Sequence, residues 1–312
     1  MSSFFSYLAY GFLWLVAWLP TPVHYLFSDF LFLMLYYVAG YRKAVVRKNL
    51  ANAFPEKSDA ERKGIERRFY RHLCDLIVEE VRMIHISTRE LQRRVEFSDY
   101  DYQRFEEMQR RKVHCVIASA HYGNWEWANA FTAATSYYVM AVYKPLHDKV
   151  IEKLLTKARL RWLDEVVPMK RVYRRILSYH RQDLPVMSYF IADQSPLPFE
   201  SEYFTLFLNQ ETAVLTGIEK IARKFGDPVF FLVMKKKRRG HYRLEFHDCC
   251  PDPRREEPYA ITEKHVRMLE GFIREQPEYW LWSHRRWKYG LQDVKKKKVT
   301  VSPALQRERK DD

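Results

Sequence analysis

The chain has 312 residues, 47% hydrophobic and 16% aromatic, with only 9 glycines and 14 prolines. This supplies the core of one large or two ordinary domains and excludes a disordered, collagen-like or linker-dominated chain. Lys and Arg number 53 against 39 Asp and Glu, a formal charge of +14, which calls for a polyanionic partner: nucleic acid, an anionic membrane surface or an acidic substrate. The cysteines Cys74, Cys115, Cys249 and Cys250 have neither the number of a disulfide scaffold nor the spacing of a zinc site, so a reducing compartment is expected.

Residues 1–41 carry one formal charge, Asp29, within two apolar stretches, Phe4 to Leu19 and Val23 to Tyr41, separated by Pro20-Thr-Pro22. A helix needs about 20 residues to cross a hydrocarbon core of about 30 Å. The first stretch is marginal by that measure and the second contains an acid. A tilted span, a re-entrant hairpin and an interfacial anchor all fit this pattern, and two buried core helices are the soluble alternative. Arg42, Lys43, Arg47 and Lys48 follow directly, and positive charge beside a membrane segment marks the cytoplasmic side, against anionic headgroups. Residues 1–41 are therefore expected to be a membrane anchor, 42–290 one domain, and 291–312 a basic, disordered tail.

Ser58 to Glu80 reads as a helix, with Ile65, Phe69, Leu73, Leu76 and Ile77 on one face and Ser58 and Glu61 in the form of a capping box. Short apolar runs at Val113 to Ala118, Tyr138 to Tyr143, Leu184 to Ile191 and Val229 to Met234 have the length of buried strands. Helical candidates alternate with them: Trp125 to Ala134, Lys149 to Trp162, Lys170 to Tyr179 and Thr216 to Phe225. Alternation of this kind predicts an α/β fold with a mostly parallel sheet flanked by helices. Tyr242 to His247 alternates with period two after the polar Lys235 to Gly240 turn, which predicts an antiparallel hairpin at an edge.

The segment Ala118-Ser-Ala-His121-Tyr-Gly-Asn124-Trp-Glu126 follows one predicted strand and opens a helix, at the strand end where open α/β sheets bind ligands. Asn124 is a natural N-cap. Residues five apart on one helix point about 140° away from each other, so His121 is expected on the turn, folded back through Gly123. Glu126 would then accept the imidazole N–H and leave the other ring nitrogen basic. A His–Glu dyad of this kind deprotonates a hydroxyl for attack on an acyl carbon; a capping His beside a solvated Glu is the bland alternative.

With this context, the His-x4-acid motif resembles the glycerolipid acyltransferase superfamily. Further blocks narrow the resemblance to the lipid A late acyltransferases, which acylate a lipid A precursor at the inner membrane. The blocks are Tyr41-Arg42 with Asn49-Leu-Ala-Asn-Ala-Phe54-Pro55-Glu56, His121-Tyr-Gly-Asn-Trp-Glu126, Tyr143-Lys144-Pro145, Arg159-Leu-Arg161, Ala192-Asp193-Gln194, Phe207 to Gly217, and Tyr279-Trp-Leu-Trp-Ser-His284-Arg285-Arg286-Trp287-Lys288. They run in order from the anchor to about residue 290.

The resemblance implies a glycerolipid-acyltransferase-like fold, with His121 as general base and Glu126 as its orienting partner. It also implies functional roles for Arg159 and Asp193: Arg159 could hold a phosphate or stabilise the tetrahedral intermediate, and Asp193 could orient a substrate hydroxyl or the site loop. Gln194 and Asn124 belong to the same blocks, and Lys144 stands where the family usually has Arg. Asn209-Gln-Glu-Thr replaces the usual Gly- and Pro-containing turn. Arg285 and Arg286, between Trp282 and Trp287, are expected to set cations at headgroup depth with aromatics at the interface. Stacking on nucleic acid is the competing use, but the anchor and the lack of a helix-turn-helix, zinc finger or RNP motif argue against it.

The expected activity is transfer of a fatty acyl chain from a thioester, on acyl carrier protein or alternatively on coenzyme A, to a hydroxyl of a lipid A precursor. Acylation of another membrane lipid and a noncatalytic membrane adaptor are the alternatives. A thioester is already activated, so neither metal nor redox cofactor is expected. The expected location is the cytoplasmic face of the inner membrane.

Overall fold

The computed structural model describes residues 11, 13–145, 148–294 and 299–311. Helix α1 (Thr21–Phe32) continues as a π-helical turn over Leu33–Val38 and is followed by α2 (Lys43–Ala53) and α3 (Asp59–Arg82). The start of α3 follows from its sequence. Ser58 Oγ accepts the Glu61 N–H at 3.3 Å, and the Glu61 carboxylate accepts the Ser58 N–H at 2.8 Å, a reciprocal cap that satisfies two orphan donors. Then come α4 (Thr88–Arg94), β1 (Val95–Glu96), α5 (Asp99–Arg110), β2 (Cys115–Ser119), a 3-10 turn (Trp125–Ala128) leading into α6 (Asn129–Thr132), β3 (Tyr138–Tyr143), α7 (Lys149–Arg159), β4 (Glu165–Pro168), α8 (Val172–Arg181) and β5 (Val186–Ile191). The chain closes with β6 (Tyr203–Phe207), β7 (Gln210–Val214), α9 (Gly217–Phe225), β8 (Val229–Arg238), β9 (His241–Cys250), α10 (Ala260–Glu275), β10 (Thr300–Val301) and α11 (Pro303–Asp311).

The main sheet has the order β1-β9-β8-β2-β5-β3-β4. Every neighbouring pair is parallel except β8 with β9, so this is the mixed α/β fold with a mostly parallel sheet and flanking helices that the alternating pattern predicts. Strand β2 is central and buried along its whole length, as a parallel strand between two helical layers must be. Its side chains alternate between two cores: Val116 and Ala118 join one cluster, Cys115 and Ile117 the other. The carboxyl ends of β2 and β5 therefore lie side by side, with Ser119 in register with Ile191.

The N-terminal segment turns its amphipathicity inside out. The face of α1 and its π extension that packs on the body carries His24, Ser28, Phe32 and Tyr36, all buried at four-residue spacing. The outward face carries Leu26, Phe27, Phe30, Leu33, Tyr37 and Val38, all exposed. Among the described residues no single helix is long and apolar enough to cross a membrane; Thr21–Val38 and Lys43–Ala53 form a pair bent by 85°. Of the first apolar stretch, Phe4 to Leu19, residues 4–10 and 12 lie outside the described residues. Because Phe32 and Tyr36 share a core cluster with Val116 and Ala118, this segment packs on the body through one face as far as Tyr36.

Three differences from expectation have physical causes. Hairpin β6–β7 lacks the Gly that usually announces such a turn: Leu208 and Asn209 both take positive φ, 50° and 59°, the two-residue turn that suits strand twist. The β8–β9 hairpin is not the sheet edge, because β1 pairs beyond β9. The C-terminal residues expected to be disordered form β10, parallel to β6, and α11, whose Leu305 packs on Phe204 and Ala213; Lys295 to Lys298 lie outside the described residues.

Two substitutions separate the faces of α1. Phe32→Ala should cost about 3–5 kcal/mol through lost burial and a cavity, whereas Phe27→Ser should stay within about 0.5 kcal/mol. Urea unfolding in mild detergent reads both, and equal losses would contradict the inverted packing.

Candidate active site

Past Ser119 the backbone turns through residues 120–124 into the 3-10 turn. Gly123 has φ +61°, and a β-carbon there would run into the carbonyl of Met234, so no other residue fits without moving β8. The turn is stitched to a segment far along the chain. The Gly123 N–H donates to Tyr279 O at 3.0 Å, and the Leu281 N–H donates to His121 O at 3.1 Å. Tyr122 and Trp280 form an isolated antiparallel bridge. Asn124 is buried; its Oδ1 accepts the Trp127 N–H at 3.1 Å, and its Nδ2 donates to Glu79 Oε2 at 2.6 Å.

The His121 ring faces the end of the neighbouring strand. Its Nδ1 is 2.6 Å from Asp193 Oδ1, while its backbone N–H donates to Asp193 Oδ2 at 3.1 Å and the Trp280 indole N–H donates to the same oxygen at 2.9 Å. Burial alone would push the Asp193 carboxyl up. The facing His121 charge and the hydrogen bonds from His121 and Trp280 outweigh it and hold Asp193 below its usual value. Burial likewise would pull His121 down, but the Asp193 charge and hydrogen bond, then the Glu126 charge, hold the imidazole above its ordinary 6.5. With Nδ1–H given to Asp193, Nε2 is the basic nitrogen. The Gln194 amide nitrogen lies 3.1 Å from it, in the geometry of a donated N–H.

Glu126 does not orient the imidazole, contrary to the dyad expected from the motif. Its carboxylate is held by Arg159 in a bidentate pair, Nη2 to Oε1 at 2.5 Å and Nε to Oε2 at 3.2 Å. The reason is directional. The chain between the two residues is a turn and a 3-10 start rather than an α-helix, and Asp193 arrives from the adjacent parallel strand directly at Nδ1. Arg159, at the end of α7, offers Glu126 the planar fork that carboxylates match best. That fork commits Nε and Nη2 of Arg159 to Glu126.

The remaining candidates divide. Lys144 is exposed just beyond β3 and joins none of these contacts. Arg285 is exposed while Arg286 is buried, so they do not act as a pair at headgroup depth. Arg286 points inward and donates through Nη2 to Ala213 O at 2.5 Å; burial pulls its guanidinium down to about 10 against the pull of Asp193. Trp280 and Trp282 are buried and the Trp287 indole donates to Thr212 Oγ1 at 2.7 Å, because this segment braces the turn at residues 121–124 instead of lying at an interface. His284 is pulled by burial to about 4.

Two residues that no motif marks complete the site. Glu79 receives the Asn124 amide. Glu80 stands within electrostatic reach of the same groups: desolvation of its carboxyl, then the Glu126 charge, raise it to about 7 against Arg159 and His121. The available signal was a run of ionisable residues, Glu66, His72, Asp75 and Glu79, on the buried face of α3. Next to Gln194 opens a cavity of about 540 Å³, walled by Leu35, Leu73, Ile77 and Leu281 with Arg42 and His284. It runs from Gln194, beside His121, to the N-terminal segment that carries Leu35.

Residues 1–289 match the family model described as bacterial lipid A biosynthesis acyltransferase. The lipid A biosynthesis lauroyltransferase of Escherichia coli (strain K12) is 26% identical over 286 residues, covering 91% of each chain. The lipid A biosynthesis palmitoleoyltransferase of the same organism is 24% identical over 284 residues, covering 89% of each. Among solved structures, the 1-acyl-sn-glycerophosphate (LPA) acyltransferase PlsC from Thermotoga maritima matches 83% of this chain and 96% of its own at 13% identity, with a TM-score of 0.36, a likeness too slight to argue from.

Neutralising Asp193 removes the largest of the charges that raise His121 and leaves burial, which lowers it, opposed by Glu126. In Asp193→Asn the His121 pKa should therefore fall below its parental value. An NMR titration of the His121 ring protons checks this; an unchanged or higher value contradicts the pairing.

Proposed function

The chain belongs to the bacterial lipid A biosynthesis acyltransferase family, and we propose that it transfers a fatty acyl chain from a thioester on acyl carrier protein to a hydroxyl of a lipid A precursor, with His121 as general base. It is an acyltransferase of lipid A biosynthesis; the donor, the residue roles and the membrane geometry are the proposal. The observation that carries the mechanism is the line Asp193–His121–Gln194, which leaves one basic nitrogen, Nε2, beside an apolar-walled cavity.

The acceptor hydroxyl replaces the Gln194 amide at Nε2. As its oxygen attacks the thioester carbonyl carbon, Nε2 takes the proton, and Asp193 stabilises the imidazolium that forms. The tetrahedral oxyanion is met by Arg159, which Glu126 holds in a fixed orientation, so that reorganisation at the moment of reaction is small. Collapse breaks the carbon–sulfur bond, and the proton on Nε2 passes to the departing sulfur. No redox change occurs, and a thioester needs no metal to activate it.

The exposed apolar ridge of α1, with Arg42 and Lys43 behind it, supports an interfacial seat on the cytoplasmic face of the inner membrane. Burying that ridge in lipid removes a penalty that water would impose, at roughly 25 cal/mol per Å² of apolar surface. The lipid acceptor then enters from the side, along the cavity that begins at Leu35, while the acidic carrier approaches a chain of strongly positive charge.

Full-length protein in mixed micelles, given acyl carrier protein thioesters and a lipid A precursor, should add one acyl chain by mass spectrometry. His121→Ala should lose about 10²- to 10⁴-fold in rate, the span of general-base effects. Arg159→Lys should lose most activity, because an ammonium cannot fill the fork of Glu126. Near-parental rates in His121→Ala would remove it as the base. Transfer only to lysophospholipids or amino-acid lipids would reassign the acceptor.

A further inference from the structure

Glu79 is a buried carboxylate with three donors from three parts of the chain. Its Oε2 accepts from Asn124 Nδ2 at 2.6 Å and from the Tyr242 hydroxyl of β9 at 2.7 Å, and its Oε1 accepts from the Tyr25 hydroxyl of α1 at 2.8 Å. A second line runs beside it. Asp75, also buried, accepts from Ser28 Oγ at 2.7 Å, Lys236 Nζ at 2.9 Å and Arg239 Nε at 2.8 Å, and Arg239 reaches on to Asp29. Lys236 touches His72 Nδ1 at 3.4 Å, and His72 Nε2 lies 3.3 Å from Gly123 O. Both lines begin on α1, at Tyr25 and at Ser28 with Asp29, and both end on the catalytic turn, at Asn124 and at Gly123.

Packing α3 against β9 does not require this arrangement, since an apolar pair would do so without burying charge. What the carboxylate does specifically is fix the Asn124 amide. With Nδ2 held by Glu79, Oδ1 faces the Trp127 N–H and sets the 3-10 turn that aims Glu126, and through it Arg159. We propose that Glu79 is a positioning residue that couples the membrane-facing helix α1 to the catalytic turn, so that the seating of α1 sets the geometry of Glu126 and Arg159. The proposal rests on the reading of the His121 turn as the site of acyl transfer. Burial raises the Glu79 carboxyl, and the Tyr242 and Tyr25 hydroxyls and the Lys236 charge oppose that rise, in keeping with a group held by its donors.

The test is a double-mutant cycle on full-length protein in mixed micelles, with His121→Ala as the control for the site itself. Tyr25→Phe removes one hydroxyl on α1. Asn124→Ser keeps an oxygen able to cap Trp127 but lacks the amide that reaches Glu79. Each should lower kcat at least about threefold with KM for both substrates unchanged, and the double variant should be no slower than the slower single one. Glu79→Gln should match that slower variant. A Tyr25→Phe kcat equal to the parent's, losses that multiply in the double variant, or losses confined to KM would overturn the coupling. Loss of activity in His121→Ala alongside any of these would leave the site reading intact, whereas full activity in His121→Ala would remove the reading on which the proposal rests.

Discussion

A carboxylate can be buried and charged only if donors surround it, and Asp193 gathers its donors from places that only this fold brings together. The His121 ring and backbone come from the end of β2, and the indole comes from Trp280, beyond α10. For those three donors to meet, β2 and β5 must be neighbours in parallel register, and the 279–282 segment must pair with the turn at Tyr122. Gly123 must also take a positive φ to let the turn pass under Met234. The raised imidazole and the lowered carboxyl are two readings of one interaction. Removing either partner leaves the other buried and unpaired, which is costlier than the pair is stabilising.

The same logic of polar groups needing partners explains the N-terminal helix. Its polar residues Tyr25, Ser28 and Asp29 find partners in the body, beside buried Phe32, while Leu26, Phe27 and Phe30 are left outside. Such a helix presents its apolar side outward, the reverse of a helix packed on a soluble core. Under the proposed function, the apolar ridge, the cavity at Leu35 and Nε2 of His121 form one path from bilayer to chemistry.

The central strands were legible because buried parallel strands are short, continuous apolar runs between turn signals: β3 is Tyr138–Tyr143, as its sequence reads. The start of α3 was legible because a capping box is local. What local reasoning could not supply was direction. The spacing of His121 and Glu126 says that they are near in sequence, and their side chains diverge because the intervening turn is 3-10 and Asp193 competes from another strand. The Trp- and Arg-rich segment at 280–287 has the composition of an interface, yet its partners lie in the turn after β2 and in β7, which composition cannot reveal. Hairpin β6–β7 was hidden for a simpler reason, a turn of Leu208 and Asn209 without glycine.

The central claim is that Asp193 governs the basicity of His121 while Glu126 acts on Arg159. The most direct measurement is the pH dependence of kcat/KM in Glu126→Gln. Because Nδ1 still faces Asp193 in that variant, the plateau should fall while the acidic-limb pKa stays within about half a unit of the parental value, where one unit corresponds to about 1.4 kcal/mol. An acidic limb that moves down by a unit or more, with the imidazolium left unsupported, would contradict the account and return Glu126 to the role of partner to His121.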